Sequence, residues 1–331
     1  MKTKQMDLSI PYYKDNSRIS NSAIGWFIKN GPVYLHKKLT GVIPEEKNKT
    51  LDTGTMIHEY ILQPELFDKD YIIFEGTKPS SDNQERFCKE LINSTEIEPN
   101  KALLSAYKQC YSIIGKSEEK MLSEALKIAN TLKDYITVLK DGRKIISKYD
   151  ILKCQSVLYN IKDHKFASNL ININNKDWEE HHEFHINWEY RGVKCKSLLD
   201  CVKFDFTNKK VELIDLKTTV KLWHFQDSIE QYDYLRQLCY YKLAICWYLN
   251  NIVGENDSFN TWSFEYYIVA IDNTYNSDVR VFKFEEYAIY SRLNTINNAI
   301  DSIKWHLENN KWNYTKEYYE GNGCETLSDF T

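Results

Sequence analysis

The chain has 331 residues, a formal net charge of −4, 42% hydrophobic residues and 27% charged residues. This length is long for one compact domain and short for two, so it favours a single elaborated domain with a substantial hydrophobic core. The composition excludes a globally disordered chain, and the net charge excludes a polybasic nucleic-acid binder. Positive charge that contacts nucleic acid would therefore be local, in a groove or channel.

The segments needed for export or membrane insertion are not expected. The N-terminal sequence lacks the apolar stretch of a signal peptide, and no run approaches the roughly 18 apolar residues of a membrane span. We therefore expect a cytoplasmic protein that does not contact a membrane. The eight cysteines have no CxxC spacing, which favours reduced core residues over disulfides, structural zinc or an iron–sulfur cluster.

The first predicted elements are helices. Residues 19–40 predict a short helix capped by Ser20 or Ser22, which stops near Gly31-Pro32 and is followed by a second helical start. Residues 51–66 predict another helix with its apolar residues on one side.

A change of period divides the rest of the chain. Apolar residues recur at helical spacing over 84–170, in a polar, lysine-rich sequence whose chemistry is unreadable. A period-two pattern over 181–217 then predicts a strand meander. It is followed by a predicted helix over 225–250, a strand over 264–271 and a helix over 285–308. Strands flanked by helices, in runs, predict an α/β or α+β core.

Two carboxylates and an ammonium group are predicted to meet at one edge of this sheet. Asp215 and Lys217 share a face because strand side chains alternate, and a hairpin brings Asp200 beside them. Magnesium-dependent phosphodiester hydrolysis uses such groups: carboxylates hold the metal, and a lysine orients water or stabilises charge on phosphorus. The Leu216 carbonyl is a further candidate ligand. Taken alone, the same residues also fit a solvated charged strand face.

Four landmarks make the chain resemble the PD-(D/E)xK nuclease superfamily, and within it the C-terminal nuclease domain of exonuclease VIII, the RecE type of phages and prophages. In the family's order they are ISNSAIGWFIKNGPVYLHKK (19–38), GTMIHEYILQPELFDKDYII (54–73), CKSLLDCV with ELIDLKTT, and QLCYY (237–241). No single motif is specific, but their order and spacing are.

The resemblance implies a role for each matching residue. The implied metal ligands are Asp200 and Asp215, with His58 as an additional metal ligand or active-site contact; the Leu216 carbonyl stays a candidate on chemical grounds. The implied catalytic residues are Asp200, Asp215, Lys217, Gln237 and Tyr241. Gln237 and Tyr241 lie one helical turn apart and are expected to position the phosphate or the lysine, with Tyr234 on the same face. Ordinary helix packing is the alternative for these three.

Glu183 falls where the family often has an acidic residue. On a regular strand it would share a face with His181 and His185, which suggests either zinc or a polar sheet face. The period-two pattern favours the polar face.

The resemblance also implies the architecture. It indicates a restriction-endonuclease-like core, with a mixed central sheet flanked by helices and a helical insertion, in one domain over residues 1–331. The expected parts are N-terminal helices with the His58 motif at 19–75, the insertion at 84–170, the catalytic sheet and Gln/Tyr helix at 181–271, and a C-terminal helix and tail at 285–331.

The implied activity is Mg²⁺-dependent hydrolysis of double-stranded DNA from an end, in the 5′→3′ direction, leaving single strands for recombination. Mn²⁺ is expected to substitute for Mg²⁺, and no iron–sulfur cluster is expected because a C-terminal cysteine triplet is missing. The implied partners are DNA ends, a single-strand annealing protein and further copies of the chain in a ring. Candidate lysines for a DNA channel are Lys37, Lys38, Lys194, Lys196 and Lys221.

Two alternatives stay open at this point. One is an endonuclease or single-strand-trimming nuclease that uses the same site. The other is a non-catalytic DNA-binding or assembly protein with a decayed site, which the presence of Asp200, Asp215 and Lys217 disfavours.

Overall fold

The computed structural model describes residues 8–44, 49–171, 178–274 and 276–325. It confirms the predicted α/β class, with a mixed five-stranded sheet flanked by helices. The chain forms two compact units, one of residues 1–62 and 156–331 and the other of residues 63–155. In the described part of the chain, no helix has both the length and the apolar character that spanning a bilayer would require.

The first helix is bent as its sequence predicts. Helix α1 (Asn21–Leu39) is capped by the Ser20 side chain, which accepts a hydrogen bond from the Ala23 amide at 3.2 Å. At Gly31 the backbone has φ 77 and ψ −179, so the segment is two helices joined by a kink. Glycine tolerates this conformation, and Pro32 then begins the second part.

Helix α2 (Lys49–Leu62) carries His58. It ends before Pro64, which occupies the first turn of the next helix.

The unit of residues 63–155 is mainly helical and has its own apolar core, which includes Phe87, Tyr107 and Ala125. Its elements are α3 (Pro64–Asp70), β1 (Tyr71–Ile73), α4 (Asp82–Ile92), α5 (Pro99–Cys110), α6 (Glu118–Thr131), α7 (Lys133–Leu139) and β2 (Lys144–Ile146). Strands β1 and β2 pair in parallel. The helical character predicted for this region is confirmed, but the unit begins and ends earlier than the 84–170 expected, and a single-domain chain stays a prediction.

The central sheet has its strands in sequence order. After α8 (Lys148–Asp163) and α9 (Ala167–Ile171) come β3 (Glu179–Tyr190), β4 (Val193–Asp205), β5 (Lys210–Thr219), β6 (Ser263–Asp272) and β7 (Val279–Phe284). All neighbouring pairs are antiparallel except β5 and β6, which are parallel and are joined by helices. The predicted meander and the strand over 264–271 are confirmed, and β7 is an addition.

Two of the predicted long helices, those over 225–250 and 285–308, are each divided into two helices. The segment expected as one helix over 225–250 is α10 (Phe225–Tyr232) and α11 (Tyr234–Tyr248), separated by Asp233 at φ 50. Aspartate tolerates this left-handed conformation, and its side chain caps α11. The remaining helices are α12 (Ser258–Thr261), α13 (Glu286–Tyr290), α14 (Leu293–Asn309) and α15 (Lys316–Glu320). The predicted C-terminal tail lies partly outside the described residues.

The main apolar core lies between one face of the sheet and the helices α1, α11 and α14. All eight cysteines are free and seven of them are buried, which confirms that they lie mostly in the core.

Candidate active site

The site lies where strands β4 and β5 separate, which we call the fork. Their pairing runs from Asp205↔Lys210 to Cys201↔Ile214, whereas β5 continues to pair with β6 as far as Thr219↔Asp272. Beyond the fork, the Leu216 amide donates to the Asp200 carboxylate at 2.7 Å. A side chain thus replaces the missing backbone partner, at the residue of β5 that lies between Asp215 and Lys217.

The segment before α1 enters this fork. Ile19 forms a parallel bridge with Cys195, in which its amide donates to the Lys194 carbonyl and its carbonyl accepts from the Lys196 amide, both at 2.9 Å. The edge of β4 that β5 leaves is therefore filled by the N-terminal segment. This arrangement brings residues from the start of the chain next to β5.

Strands β3 and β4 are both irregular where Glu183 and Asp200 face each other. Leu199 and Val202 both belong to the main core, although residues three apart on a regular strand point to opposite faces. Across the β3–β4 ladder, Glu183 has φ 46, an uncommon backbone conformation for a residue other than glycine. The irregularity turns Glu183 toward Asp200 rather than into a regular face with His181 and His185.

Asp215 and Lys217 lie on the same face of β5, as the alternation predicts. Lys217 Nζ is 2.5 Å from Asp215 Oδ2, and the carboxylate is almost fully buried. The other oxygen, Oδ1, accepts a hydrogen bond from Gln237 Nε2 at 3.0 Å. Lys217 Nζ also lies over the Tyr234 ring, 5.1 Å from its centroid.

Helix α2 brings His58 to the carboxylates. His58 Nδ1 is 3.6 Å from Asp200 Oδ2, and a ligand atom from each of His58, Glu183 and Asp200 can lie within 4.8 Å of the others. One turn earlier, a Cβ at Gly54 would come within 2.8 Å of Thr218 Oγ1. Gly54 and His58 form a GxxxH motif at the start of the second landmark, and this glycine therefore allows the close approach of α2 to β5.

The carboxylates of the site have an excess of negative charge that one lysine does not balance. Burial raises the pKa of Asp215 to about 6, although Lys217 opposes the change. Burial and the neighbouring carboxylates, first among them Asp200, raise the pKa of Glu183 to about 7. The acidic groups raise the pKa of Lys217, despite burial, so the ammonium stays charged. A cation at this position would stabilise the ionised carboxylates.

This donor set fits a divalent metal ion. Burial, followed by Lys217, lowers the pKa of His58 to about 4, so the imidazole is neutral and has a free lone pair near neutral pH. Carboxylate oxygens from Asp200, Asp215 and Glu183 are the ligands that Mg²⁺ and Mn²⁺ prefer. A hydrogen bond with the backbone of Leu216, whose carbonyl is a predicted ligand, acts in the opposite direction on the pKa of His58.

The helix α11 residues meet the site as expected. Gln237 Nε2 donates to Tyr241 Oη at 2.8 Å as well as to Asp215, so the three residues form one hydrogen-bonded chain. Burial raises the pKa of Tyr241 well above its ordinary value, so its hydroxyl is neutral. Gln237 and Tyr241 thus contact the carboxylate rather than only packing against the core.

A cavity of about 400 Å³ adjoins Lys217, and its lining was mostly missed from sequence. Tyr12, Trp26 and Tyr232 supply aromatic rings, while Lys29 and Arg236 supply positive charge. Trp26 and Lys29 lie in the first landmark, where no site role was assigned to them, and Tyr12, Tyr232 and Arg236 lie outside the four landmarks. The resemblance to the serine-flanked helix was the only signal that pointed toward this region.

Arg236 is held at the wall of this cavity. It is 4% exposed, and its Nε donates to Asn21 Oδ1 at 3.0 Å. A Cβ at Gly25 would come within 2.9 Å of its Nη2, so a glycine on α1 makes room for the guanidinium.

One of the lysines proposed for a DNA channel is in the wrong place. Lys196 is 7% exposed, and its Nζ donates to the Tyr12 carbonyl at 2.6 Å, so it supports the N-terminal segment. Lys37, Lys194 and Lys221 are exposed. Lys38 is partly exposed and donates to the Pro44 carbonyl at 2.8 Å.

The histidines of β3 do not form the zinc trio considered above. His181 Nε2 lies 2.5 Å from Glu179 and His185 Nε2 lies 3.0 Å from Asn187, while Glu183 belongs with His58 and Asp200.

Comparison with known proteins gives likenesses to solved structures only. No protein-family model and no curated protein matches the sequence. A solved crystal structure of a candidate exonuclease from Eubacterium rectale aligns with 97% of this chain and 89% of its own, at 11% identity and a TM-score of 0.46. A likeness of this degree does not define a function.

Proposed function

We propose that the protein is a metal-dependent nuclease that hydrolyses phosphodiester bonds at the fork. The observation that carries this proposal is the convergence of His58, Glu183, Asp200, Asp215 and Lys217 around one small volume. Buried carboxylates beside a charged lysine and a neutral histidine form a site for a divalent cation and an anionic substrate. Decay of the site is disfavoured because each group is present and held by a neighbour.

The chain's own groups have separable roles in this proposal. His58, Glu183, Asp200 and Asp215 would hold Mg²⁺, which polarises the phosphoryl oxygen and acidifies bound water. Lys217 stays cationic and is held by Asp215, so it can stabilise negative charge that develops on the phosphoryl group. Gln237 fixes the orientation of Asp215 from the opposite side.

The cavity beside Lys217 favours a nucleic-acid substrate over a small phosphodiester. Aromatic faces at Trp26 and Tyr232 can stack on bases, and Lys29 and Arg236 can contact phosphates. This local positive charge also reconciles nucleic-acid binding with the net charge of −4.

The finer assignment is digestion of duplex DNA from an end, 5′→3′, yielding single strands for recombination. It follows from the motif resemblance to the exonuclease VIII type, as do a ring of several copies and a single-strand annealing partner. An endonuclease or a single-strand-trimming enzyme with the same site is the competing assignment.

Digestion of end-labelled linear duplex DNA with Mg²⁺ tests the proposal. We expect the wild-type chain to release label from linear DNA and to leave closed circles intact. Asp215→Asn and Lys217→Ala should lower the rate by at least about 100-fold, because each removes charge that acts on the reacting phosphate. Labels placed separately at the 5′ and 3′ ends report the direction.

Asp301→Asn is the matched control, since this aspartate of α14 forms an exposed ion pair with Arg191. It should digest DNA at the wild-type rate. Wild-type activity in Asp215→Asn would refute the site, and cutting of closed circles would refute the exonuclease assignment while sparing the nuclease.

A further inference from the structure

A second group of potential ligands lies beside the first, on residues that the proposed nuclease chemistry does not use. Glu180, His182 and Cys201 each offer one ligand atom, and these atoms all lie within 4.8 Å of one another. Cys201 directly follows Asp200, and His182 directly precedes Glu183. The distortion that turns Glu183 and Asp200 toward the nuclease site thus leaves their chain neighbours together in a separate group.

His182 is oriented as a metal-binding histidine would be. Its Nδ1 lies 2.8 Å from the Leu62 carbonyl, a contact that requires the proton on Nδ1. When the ring is neutral, Nε2 is then the nitrogen with the lone pair, and it lies 2.6 Å from Glu180 Oε1. A backbone carbonyl that fixes the tautomer is a common support for histidine ligands.

Neighbouring groups also hold Glu180 in position, close to Cys201. Lys203 Nζ lies 3.3 Å from Glu180 Oε2 and donates to the Asn169 carbonyl at 3.2 Å, so one carboxylate oxygen is anchored. The other oxygen, Oε1, lies 3.8 Å from Cys201 Sγ. A tetrahedral zinc ion holds its nitrogen, oxygen and sulfur ligands roughly 3.3–3.8 Å apart. The Cys201–Glu180 distance lies at the upper end of this range, and the His182 and Glu180 atoms, 2.6 Å apart, have to separate.

We propose that Glu180, His182 and Cys201 form a second metal site, distinct from the nuclease site, for a thiophilic divalent cation such as Zn²⁺. Imidazole, thiolate and carboxylate together are a ligand set that suits zinc and not magnesium. Binding transfers the Cys201 thiol proton to solvent, and the cation takes its place on sulfur. Three protein ligands leave one position for water, and Glu180 also helps to line a cavity of about 260 Å³.

A bound cation would tie β3 to β4 next to the fork. It would hold Asp200 and Glu183 in place through their chain neighbours, without contacting the substrate. The competing account is a metal-free ion-pair network, in which protonated His182 and Lys203 share Glu180.

Cobalt substitution separates the two accounts. Purified, reduced full-length protein is titrated with Co²⁺, and the thiolate-to-cobalt charge-transfer absorption is recorded. We expect a saturable band with one equivalent of Co²⁺, which Zn²⁺ abolishes by competition. Cys201→Ser should lose the band, and Glu180→Gln should weaken apparent Co²⁺ affinity at least about tenfold.

Two controls make the result specific. Cys239→Ser removes a buried cysteine of α11 and should keep the band. Asp215→Asn alters the nuclease site alone and should also keep it, so failure of the nuclease proposal would leave this one standing. Absence of the band in the wild type, or its persistence in a folded Cys201→Ser or its loss in Cys239→Ser, would overturn the second site. If Cys201→Ser does not fold, Glu180→Gln and the wild-type titration decide.

Discussion

Gln237 connects helix α11 to the carboxylates, and its amide is shared between two acceptors. Nε2 donates to Asp215 Oδ1 at 3.0 Å and to Tyr241 Oη at 2.8 Å. The side chain is therefore placed to orient Asp215. Such supporting hydrogen bonds act on metal affinity and on the precision of the site rather than on the chemical step.

Gln237→Leu should reduce Mg²⁺ affinity or activity about 10–100-fold, because Asp215 loses the donor that fixes its orientation. Tyr241→Phe should have a smaller effect, since Gln237 still reaches the carboxylate. The measurement is the rate of DNA digestion as a function of Mg²⁺ concentration, with the free energy of unfolding as a control. An unchanged Mg²⁺ dependence in a stably folded Gln237→Leu variant would contradict a positioning role.

The sequence predicted the residues of the site better than its surroundings. Asp200, Asp215 and Lys217 were identifiable because strand periodicity places them together, and His58 because a motif marked it. Arg236 and Tyr12 were not identifiable. Arg236 lies in the first turn of α11, directly after the unpredicted break at Asp233, and Tyr12 precedes the segment that enters the fork at Ile19. Lys196 was wrongly assigned to a DNA channel, because the alternation of side chains along a strand does not show which lysines a neighbouring segment covers.

Among the helices and strands, α2 depends most on one contact. Gly54 lies one turn before His58 and faces Thr218 of β5, where a Cβ would come within 2.8 Å of Oγ1. This contact sets how near the helix lies to the strand that carries Asp215 and Lys217. The GxxxH motif thus combines a packing position with a ligand position on one helical face.

Gly54→Ala should weaken Mg²⁺ activation of DNA digestion about tenfold or more, because α2 must move away and take His58 with it. Thr218→Ala removes the atom that the new methyl group would meet. The double variant Gly54→Ala/Thr218→Ala should therefore recover much of the loss, which a double-mutant cycle measures. Equal losses in the single Gly54→Ala and the double variant would show that the contact is not the cause.

Element types were predictable, but their interruptions were only partly so. The kink at Gly31 was expected because glycine and proline mark it. The break at Asp233 was not, since aspartate in a left-handed conformation has no comparable signal amid an amphipathic pattern. Strand β7 was missed because Arg280 and Lys283 dilute a short apolar stretch whose pairing with β6 supplies its stability.

Across the whole molecule, the sheet is held by charges as well as by its core. Glu265 of β6 forms ion pairs with Lys210 of β5 at 2.8 Å and with Lys283 of β7 at 2.9 Å. It also accepts a hydrogen bond from the Tyr267 hydroxyl at 2.8 Å. Burial alone would raise the pKa of Glu265, but these contacts outweigh it and lower the pKa from 4.5 to about 2. One carboxylate thereby links three strands.

The pH dependence of unfolding follows from this shift. A carboxylate with a lowered pKa in the folded state stabilises the protein fully above its unfolded value of 4.5, and the contribution disappears as the pH falls toward 2. We therefore expect wild type to exceed Glu265→Gln in free energy of unfolding at pH 6, with the difference narrowing between pH 4.5 and 2. Urea denaturation across this range measures it.

Glu308→Gln, at an exposed position of α14, controls for the general effect of acid. A difference between wild type and Glu265→Gln that stays constant down to pH 2 would contradict the assigned role of the network.

The fork has a mechanical consequence for the separation of β4 and β5 at the site. Ladder hydrogen bonds hold neighbouring strands at a nearly fixed spacing of about 4.8 Å, but Asp200 and Asp215 lie just beyond the last such pair. Strand β5 is held by its pairing with β6, and β4 is held by β3 on one side and by the bridge to Ile19 on the other, but Glu183 and Asp200 are left out of the β3–β4 register. The separation of Asp200 and Asp215 is therefore not set by a β4–β5 ladder pair, so cations whose bonds to oxygen range from about 2.1 Å to about 2.4 Å can be bound without distorting β5.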